Sequence, residues 1–187
     1  MAQTKILLDT NTYLRLAQSI RPLLAVPFGK DDYALYIHKE IESELNKSPR
    51  LLTQFHWVEI NEYRENRKKK LVLRKETQAE IELTFDFISD YQRDEKLELS
   101  RIDIYCIATA LDADVLLVTD DQNMIKTCRE FNVKVCSTLE LMKLMLDNNF
   151  VNNDKIIEIV EYWKYEKDEP ANFKKELKKY FSKLVKK

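Results

Sequence analysis

The chain has 187 residues, 44% of them apolar and 34% charged, with a net charge of −1. That length suits one domain with a proper core, and no apolar run approaches the length needed to cross a bilayer. A single glycine excludes the Walker phosphate loop and the dinucleotide fingerprint, so no nucleotide cofactor is expected, and two histidines leave little for imidazole or zinc chemistry.

Lys5 to Leu8 is an apolar run that stops at Asp9-Thr10-Asn11, which predicts a buried strand turning into a helix capped by Thr10 or Asn11. Asp9 then stands at a strand's carboxyl end, where open parallel sheets hold their ligands; plain capping of the helix is the alternative. The helix is expected to run to about Ser19, followed by a loop from Arg21 to Asp32 that contains Pro22, Pro27 and Gly29. Tyr33–Ile37 reads as the second strand and His38–Asn46 as a short helix, on which Glu40 and Glu44 project to one side. Ser48-Pro49 is a helix start. From there to Glu98 the sequence is charged and predicts two helices, roughly 50–70 and 74–93, with Val58-Glu59-Ile60 as an alternative brief strand.

Ser100 opens a helix, Arg101 to Leu111, that is apolar on most sides and must therefore be central. Asp103 is spaced from Ser100 as in a capping box, yet it is also an ionisable group at the start of a buried helix, which calls for a partner such as a metal ion. Asp114 to Asp121 is a third strand ending in carboxylates, followed by a helix to Phe131, a strand at Val133–Cys136 and a helix begun by Ser137 or Thr138. Strands alternating with helices imply a parallel sheet covered on both faces. Past Asn148 two amphipathic helices, Asp154–Tyr165 and Pro170–Val185, form a C-terminal extension.

Cys106, Cys128 and Cys136 form no Cys-x-x-Cys pair and suggest reduced, packed thiols, and Met1 to Lys5 shows no secretion signal, so a cytoplasmic protein with no membrane association is expected. Charge is segregated: residues 64–75 and 171–187 each hold seven basic and one acidic side chain, which leaves −13 on the remainder. Such runs neutralise phosphates or simply form a solvated face.

Asp9, Glu44, Asp103 and Asp121 are placed so that they can converge, with Glu40 or Glu42 as alternatives to Glu44 and Asp120 as an alternative to Asp121. Like charges that close raise one another's pKa unless a cation intervenes, and an oxygen-only donor set suits Mg²⁺ or Mn²⁺. The order Leu7-Leu8-Asp9-Thr10-Asn11, Ile37 through Ile41 to Glu44-Leu45, Asp103 through Ile107-Ala108-Thr109-Ala110-Leu111, and Leu117-Val118-Thr119-Asp120-Asp121 resembles the PIN domain, a group of metal-dependent ribonucleases. The resemblance covers about residues 4–146. It implies a three-layer αβα parallel-sheet domain over residues 1–148, with the charged helical section 50–98 inside it and an extension over 149–187. It also implies RNA as substrate, one or two Mg²⁺ or Mn²⁺ ions on Asp9, Glu44, Asp103 and Asp121, and, as in toxin members, an antitoxin partner or a homodimer. Thr10, Asn11, Thr119 and Asn123 are expected to support the carboxylates; Asn123 stands where many members carry a further aspartate. Arg64, Arg67, Lys68, Lys69, Lys70 and Arg74 are expected to guide the RNA backbone. Two rival functions are a degenerate domain of this fold that binds without cleaving and a phosphohydrolase with Asp9 as nucleophile; the latter lacks a second aspartate at position 11, which is Asn.

Overall fold

The computed structural model describes residues 3–184. Four short strands, β1 (Thr4–Leu8), β2 (Tyr33–Ile37), β3 (Leu116–Val118) and β4 (Val135–Cys136), form one parallel sheet in the order β2-β1-β3-β4. Register aligns their carboxyl ends: Leu8 pairs with both Ile37 and Val118, and Val118 pairs with Cys136. The residues that follow, Asp9, His38, Thr119 and Ser137, therefore leave the sheet along one edge.

Alternate strand residues point to opposite faces, and each face finds its own core. Ile6, Leu8, Leu35, Ile37 and Val118 pack with α1 (Thr10–Ala17), α8 (Thr138–Asp147), α9 (Asn153–Glu166) and α10 (Phe173–Phe181). Leu7 and Leu117 pack on the other side with α5 (Lys75–Asp94), α6 (Arg101–Asp112) and α7 (Gln122–Glu130). Helices on both faces explain why Ile6–Leu8 of β1 and all of β3 are apolar rather than alternating. Helix α6 is buried from Ile104 to Ala110, as its all-round apolarity requires. This is the expected αβα arrangement.

The segment expected as one helix over 50–70 is instead α3 (Pro49–Gln54), a 3₁₀ turn at His56–Glu59 and α4 (Asn61–Arg67), with α2 (Ile41–Lys47) before them. Phe55 (ψ 50°) and Ile60 (ψ 135°) leave helical geometry, and the turn between them buries Trp57 and Val58. Trp57 sits 4.6 Å from Tyr63 between ring centres, so aromatic packing overrides helical periodicity, and Val58-Glu59-Ile60 forms no strand. Helix α2 starts three residues later than expected, because His38 to Glu40 turn off the end of β2. Of the tail helices, the first runs one residue further at each end than expected, while α10 starts at Phe173 rather than Pro170 and ends at Phe181; the expected end at Val185 lies outside the described residues. Their apolar face, with Val160, Trp163, Leu177 and Phe181, joins the same core as the sheet, and the Trp163 indole donates to the Arg15 carbonyl at 3.1 Å. All three cysteines are free. No helix among the described residues is long and apolar enough to cross a membrane.

Candidate active site

Asp9 follows β1 directly and is itself the cap of α1, where Thr10 or Asn11 was expected: its Oδ1 accepts the Thr12 N–H at 2.6 Å. Its Oδ2 accepts the Thr119 hydroxyl at 2.6 Å, and the residue is only 2% exposed. Burial pushes its pKa up from 3.8 to about 6, the hydrogen bonds from Thr119 and Thr12 pulling back and the nearby Asp120 charge adding to the rise. The Thr119 oxygen also accepts the Asp121 N–H at 3.1 Å, so one hydroxyl ties the two strand ends together.

Asp121 is exposed and caps α7, accepting the Met124 N–H at 2.8 Å. Asp103 completes a capping box with Ser100, its Oδ2 accepting the Ser100 N–H at 2.8 Å. Its pKa is raised by burial first, and then by the Asp121 charge. Glu44, on α2, accepts the Thr10 hydroxyl at 2.7 Å and is likewise raised by burial and then by Asp103. Cys106, one turn into α6, is fully buried beneath them; burial drives its thiol pKa well up, and Asp9, Asp103 and Glu44 all add to it. Asp9, Glu44 and Asp103 thus lie around the buried Cys106 at the sheet's carboxyl edge, with Asp121 beside Asp103, brought there by a strand end, two helix starts and the middle of a short helix.

Each carboxylate has an oxygen engaged by a helix cap or a hydroxyl. As the side chains stand, no three Asp, Glu, His or Cys groups among the described residues are close enough to share one ion. The donor chemistry fits a hard divalent cation, four carboxylates with no accessible imidazole or thiolate, while the spacing requires side-chain rotation to close on it.

The alternatives separate by their partners. Asp120 is buried on the other side of the strand end, where it accepts from the Thr138 hydroxyl at 2.5 Å and N–H at 3.2 Å and pairs with Arg15 at 3.4 Å. It braces the start of α8. Glu42 pairs with Arg67 at 2.7 Å, and Glu40 occupies the position before α2 without making a cap hydrogen bond. Asn11 is exposed, and no hydrogen bond among the described residues joins it to the acids. Asn123 is half-buried in the first turn of α7, its carbonyl accepting from Thr127.

The expectation for Arg67 needs correction. Its side chain is 1% exposed, bound to Glu42 and at 3.4 Å to the Tyr13 hydroxyl, so it is a buried strut and no RNA contact. Arg64, Lys68, Lys69, Lys70 and Arg74 are exposed, with Lys68 paired to Glu65. Sequence reasoning missed Thr12 and Thr138, whose hydroxyls meet at 3.1 Å beneath the strand ends, and Arg15, which links Asp120 to Asp168. No spacing rule connects residues that far apart in the chain.

No family model and no curated protein matches the chain. Among solved structures it is similar to FitAcB from Neisseria gonorrhoeae, at 17% identity over 71% of this chain and 97% of that one, with a TM-score of 0.45. It is similar also to VapBC2 from Rickettsia felis bound to a DNA fragment from their promoter, and to VapBC-1 from nontypeable Haemophilus influenzae. Each of these is 16% identical over 72% of this chain and 98% of the other, with a TM-score of 0.46. What bears on function is the site itself. Four parallel strands between two helical layers make this chain an α/β protein, consistent with a PIN-like fold.

Proposed function

We propose that the protein is a metal-dependent ribonuclease that hydrolyses RNA phosphodiester bonds at the carboxylate cluster. The observation that supports this reading is the gathering of Asp9, Glu44 and Asp103 around Cys106 with Asp121 beside Asp103, an arrangement that is electrostatically unfavourable without a cation. Asp9, Asp103 and Asp121 would hold Mg²⁺ or Mn²⁺, with Glu44 as ligand or as the group that orients the attacking water. When bound, such an ion supplies positive charge for the scissile phosphate and acidifies the attacking water.

The chain's own groups set the geometry. Thr119 holds Asp9 and the backbone of Asp121 in fixed relation, and Thr10 holds Glu44. Glu44, whose carboxyl burial pushes up, is the group placed to take a proton from the attacking water. Arg64, Lys68, Lys69, Lys70 and Arg74 form an exposed basic run that draws in the backbone of the RNA. A protein partner that covers the site, or a second copy of the chain, accords with the toxin-like reading.

The test is incubation of a mixed single-stranded and hairpin RNA pool with EDTA, Mg²⁺ or Mn²⁺, beside folded Asp103→Asn and Glu44→Gln proteins. Cleavage that needs the metal and is lost in both variants is expected. RNA that stays bound yet intact under every condition turns the reading toward a binding domain without catalysis.

A further inference from the structure

The cleavage chemistry leaves the second basic run, at residues 171–187, without a role. Packing decides how that run is presented. Helix α10 turns Phe173, Leu177 and Phe181 into the core behind the sheet. At about 100° per residue those three share one side of the helix, and Lys174, Lys175, Lys178 and Lys179, all exposed, fill the other. Glu176 is the one acid of the helix, and it is turned inward to the Ser137 hydroxyl.

The outer face of α10 is therefore cationic and lacks counter-charges. Lys68, Lys126, Lys134, Lys143 and Lys155 each pair with an acid. Among the described residues none of the four α10 lysines does, and Lys179 donates to the Tyr180 hydroxyl instead. Lys174 and Lys178, like Lys175 and Lys179, stand four residues apart, the spacing at which like charges destabilise a helix. The chain outside its two basic runs carries −13, yet none of those acids is brought to this face.

The face also lies where a substrate would pass. Helix α8 begins directly after β4, and α10 packs along it. Glu176 meets Ser137, the cap of α8, and Lys179 is close enough to Glu140 to feel its charge, so α10 sits by the sheet's carboxyl edge on the β4 side. The first basic run lies across from it: Lys70 lines one cavity with Ile37, His38 and Lys39 at the end of β2. Asp9 and Asp121 follow the two central strands of the order β2-β1-β3-β4. The edge is thus basic, acidic and basic in turn across three strand spacings, about 14 Å. A lipid surface fits poorly, because the apolar residues of α10 that would insert are already in the core. A single polyanionic strand laid across the edge meets lysines on both flanks and places one phosphate at the acids.

We propose that the lysine face of α10 is the second half of an RNA track, gripping the backbone on the β4 side of the cut while the exposed members of the 64–74 run grip it on the β2 side. The position of the cut rests on the nuclease function proposed above; the grip is measurable in EDTA without cleavage.

The experiment titrates the full chain in EDTA with a fluorescein-labelled, unstructured single-stranded RNA over a range of salt. One variant carries Gln at Lys174, Lys175, Lys178 and Lys179. Three phosphates released at about 0.7 each lower its log–log salt slope by about 2, so the affinity it has lost shrinks about twentyfold between about 50 and 200 mM salt. Its urea midpoint should hold, since only exposed side chains change. A control variant removes the same charge toward the opposite edge, with Gln at Lys30 and Lys134, ahead of β2 and β4, at Lys143, late in α8, and at Lys155, early in α9. Its slope should match the wild type. With Mn²⁺, the α10 variant should cleave with a raised KM and an unchanged kcat. An unchanged slope in the α10 variant, or an equal drop in the control, overturns the proposal. So does binding of poly-glutamate that is lost with the four lysines while RNA binding is kept, which assigns the face to an acidic protein. RNA that binds through α10 and is never cut supports the track and sinks the nuclease, whereas cleavage with an unchanged KM in the α10 variant does the reverse.

Discussion

Replacing Asp9 with Asn should stabilise the metal-free protein while abolishing cleavage. The carboxylate is 2% exposed and lifted from 3.8 to about 6, chiefly by burial, so keeping it ionised at neutral pH costs about 3 kcal/mol. Asn keeps the Oδ1 acceptor for the Thr12 N–H, and its amide can donate to Thr119, whose own proton then turns to the Met124 sulfur already 3.3 Å away. What is lost is a negative charge at the start of α1, roughly 0.3–1 kcal/mol. The net gain is about 2–2.7 kcal/mol, or roughly 4–11 °C in Tm for a chain of this size. Because the folded pKa lies above the unfolded one, the wild-type penalty is full above pH 6 and gone below about pH 4. Thermal unfolding in EDTA should therefore show the Asn protein more stable at pH 7.5 and equal at pH 4. Added Mn²⁺ should raise the Tm of the wild type alone. A site that sacrifices stability for function behaves this way. An Asn protein less stable than wild type at pH 7.5, or an advantage that persists at pH 4, refutes the burial account of Asp9.

Arg67→Ala should lower stability by roughly 1–3 kcal/mol in urea unfolding, since it removes a buried side chain and leaves the half-exposed Glu42 without its partner, and should leave the salt dependence of RNA binding unchanged. Neutralising Arg64, Lys68, Lys69, Lys70 and Arg74 to Gln should do the opposite, preserving the urea midpoint and flattening the salt dependence by about 0.7 in log–log slope for each phosphate of single-stranded RNA that is no longer neutralised. His38 is held down to about 4, by burial and then by Lys39, against 6.5 when unfolded. The unfolded chain therefore takes up a proton that the native one refuses. Stability should fall as pH drops from 6.5 to 4, by about 3 kcal/mol in all, and His38→Gln should remove that slope. Asp9 and His38 act in opposite directions over the same pH range, so each is measured as the difference from its own variant.

The strands, the parallel sheet and the carboxylates at its edge were legible in local patterns. Tyr33–Ile37 and the Ser100/Asp103 capping box occur as the sequence predicts, because apolar runs, turn residues and cap spacings act over a few neighbours. Local spacing also put Glu40, Glu42 and Glu44 on one short helix without choosing among them. That choice belongs to tertiary structure: Thr10 reaches Glu44, and Arg67 takes Glu42. In the same way Thr138 and Arg15 claim Asp120 and leave Asp121 at the edge. The break at Phe55 follows from burying Trp57 against Tyr63 and Tyr13, a gain that no helical period reports. Arg67 looked like one of a row of solvated cations, and only the packing of α4 against α1 and α2 made it a buried strut. Sequence alone determined which residues could begin or end an element and which acids stood at those ends. Tertiary structure decided which acids remain open toward one another and which are consumed as braces, because hydrogen-bond partners and burial are set by residues distant in the chain and close only once it has folded.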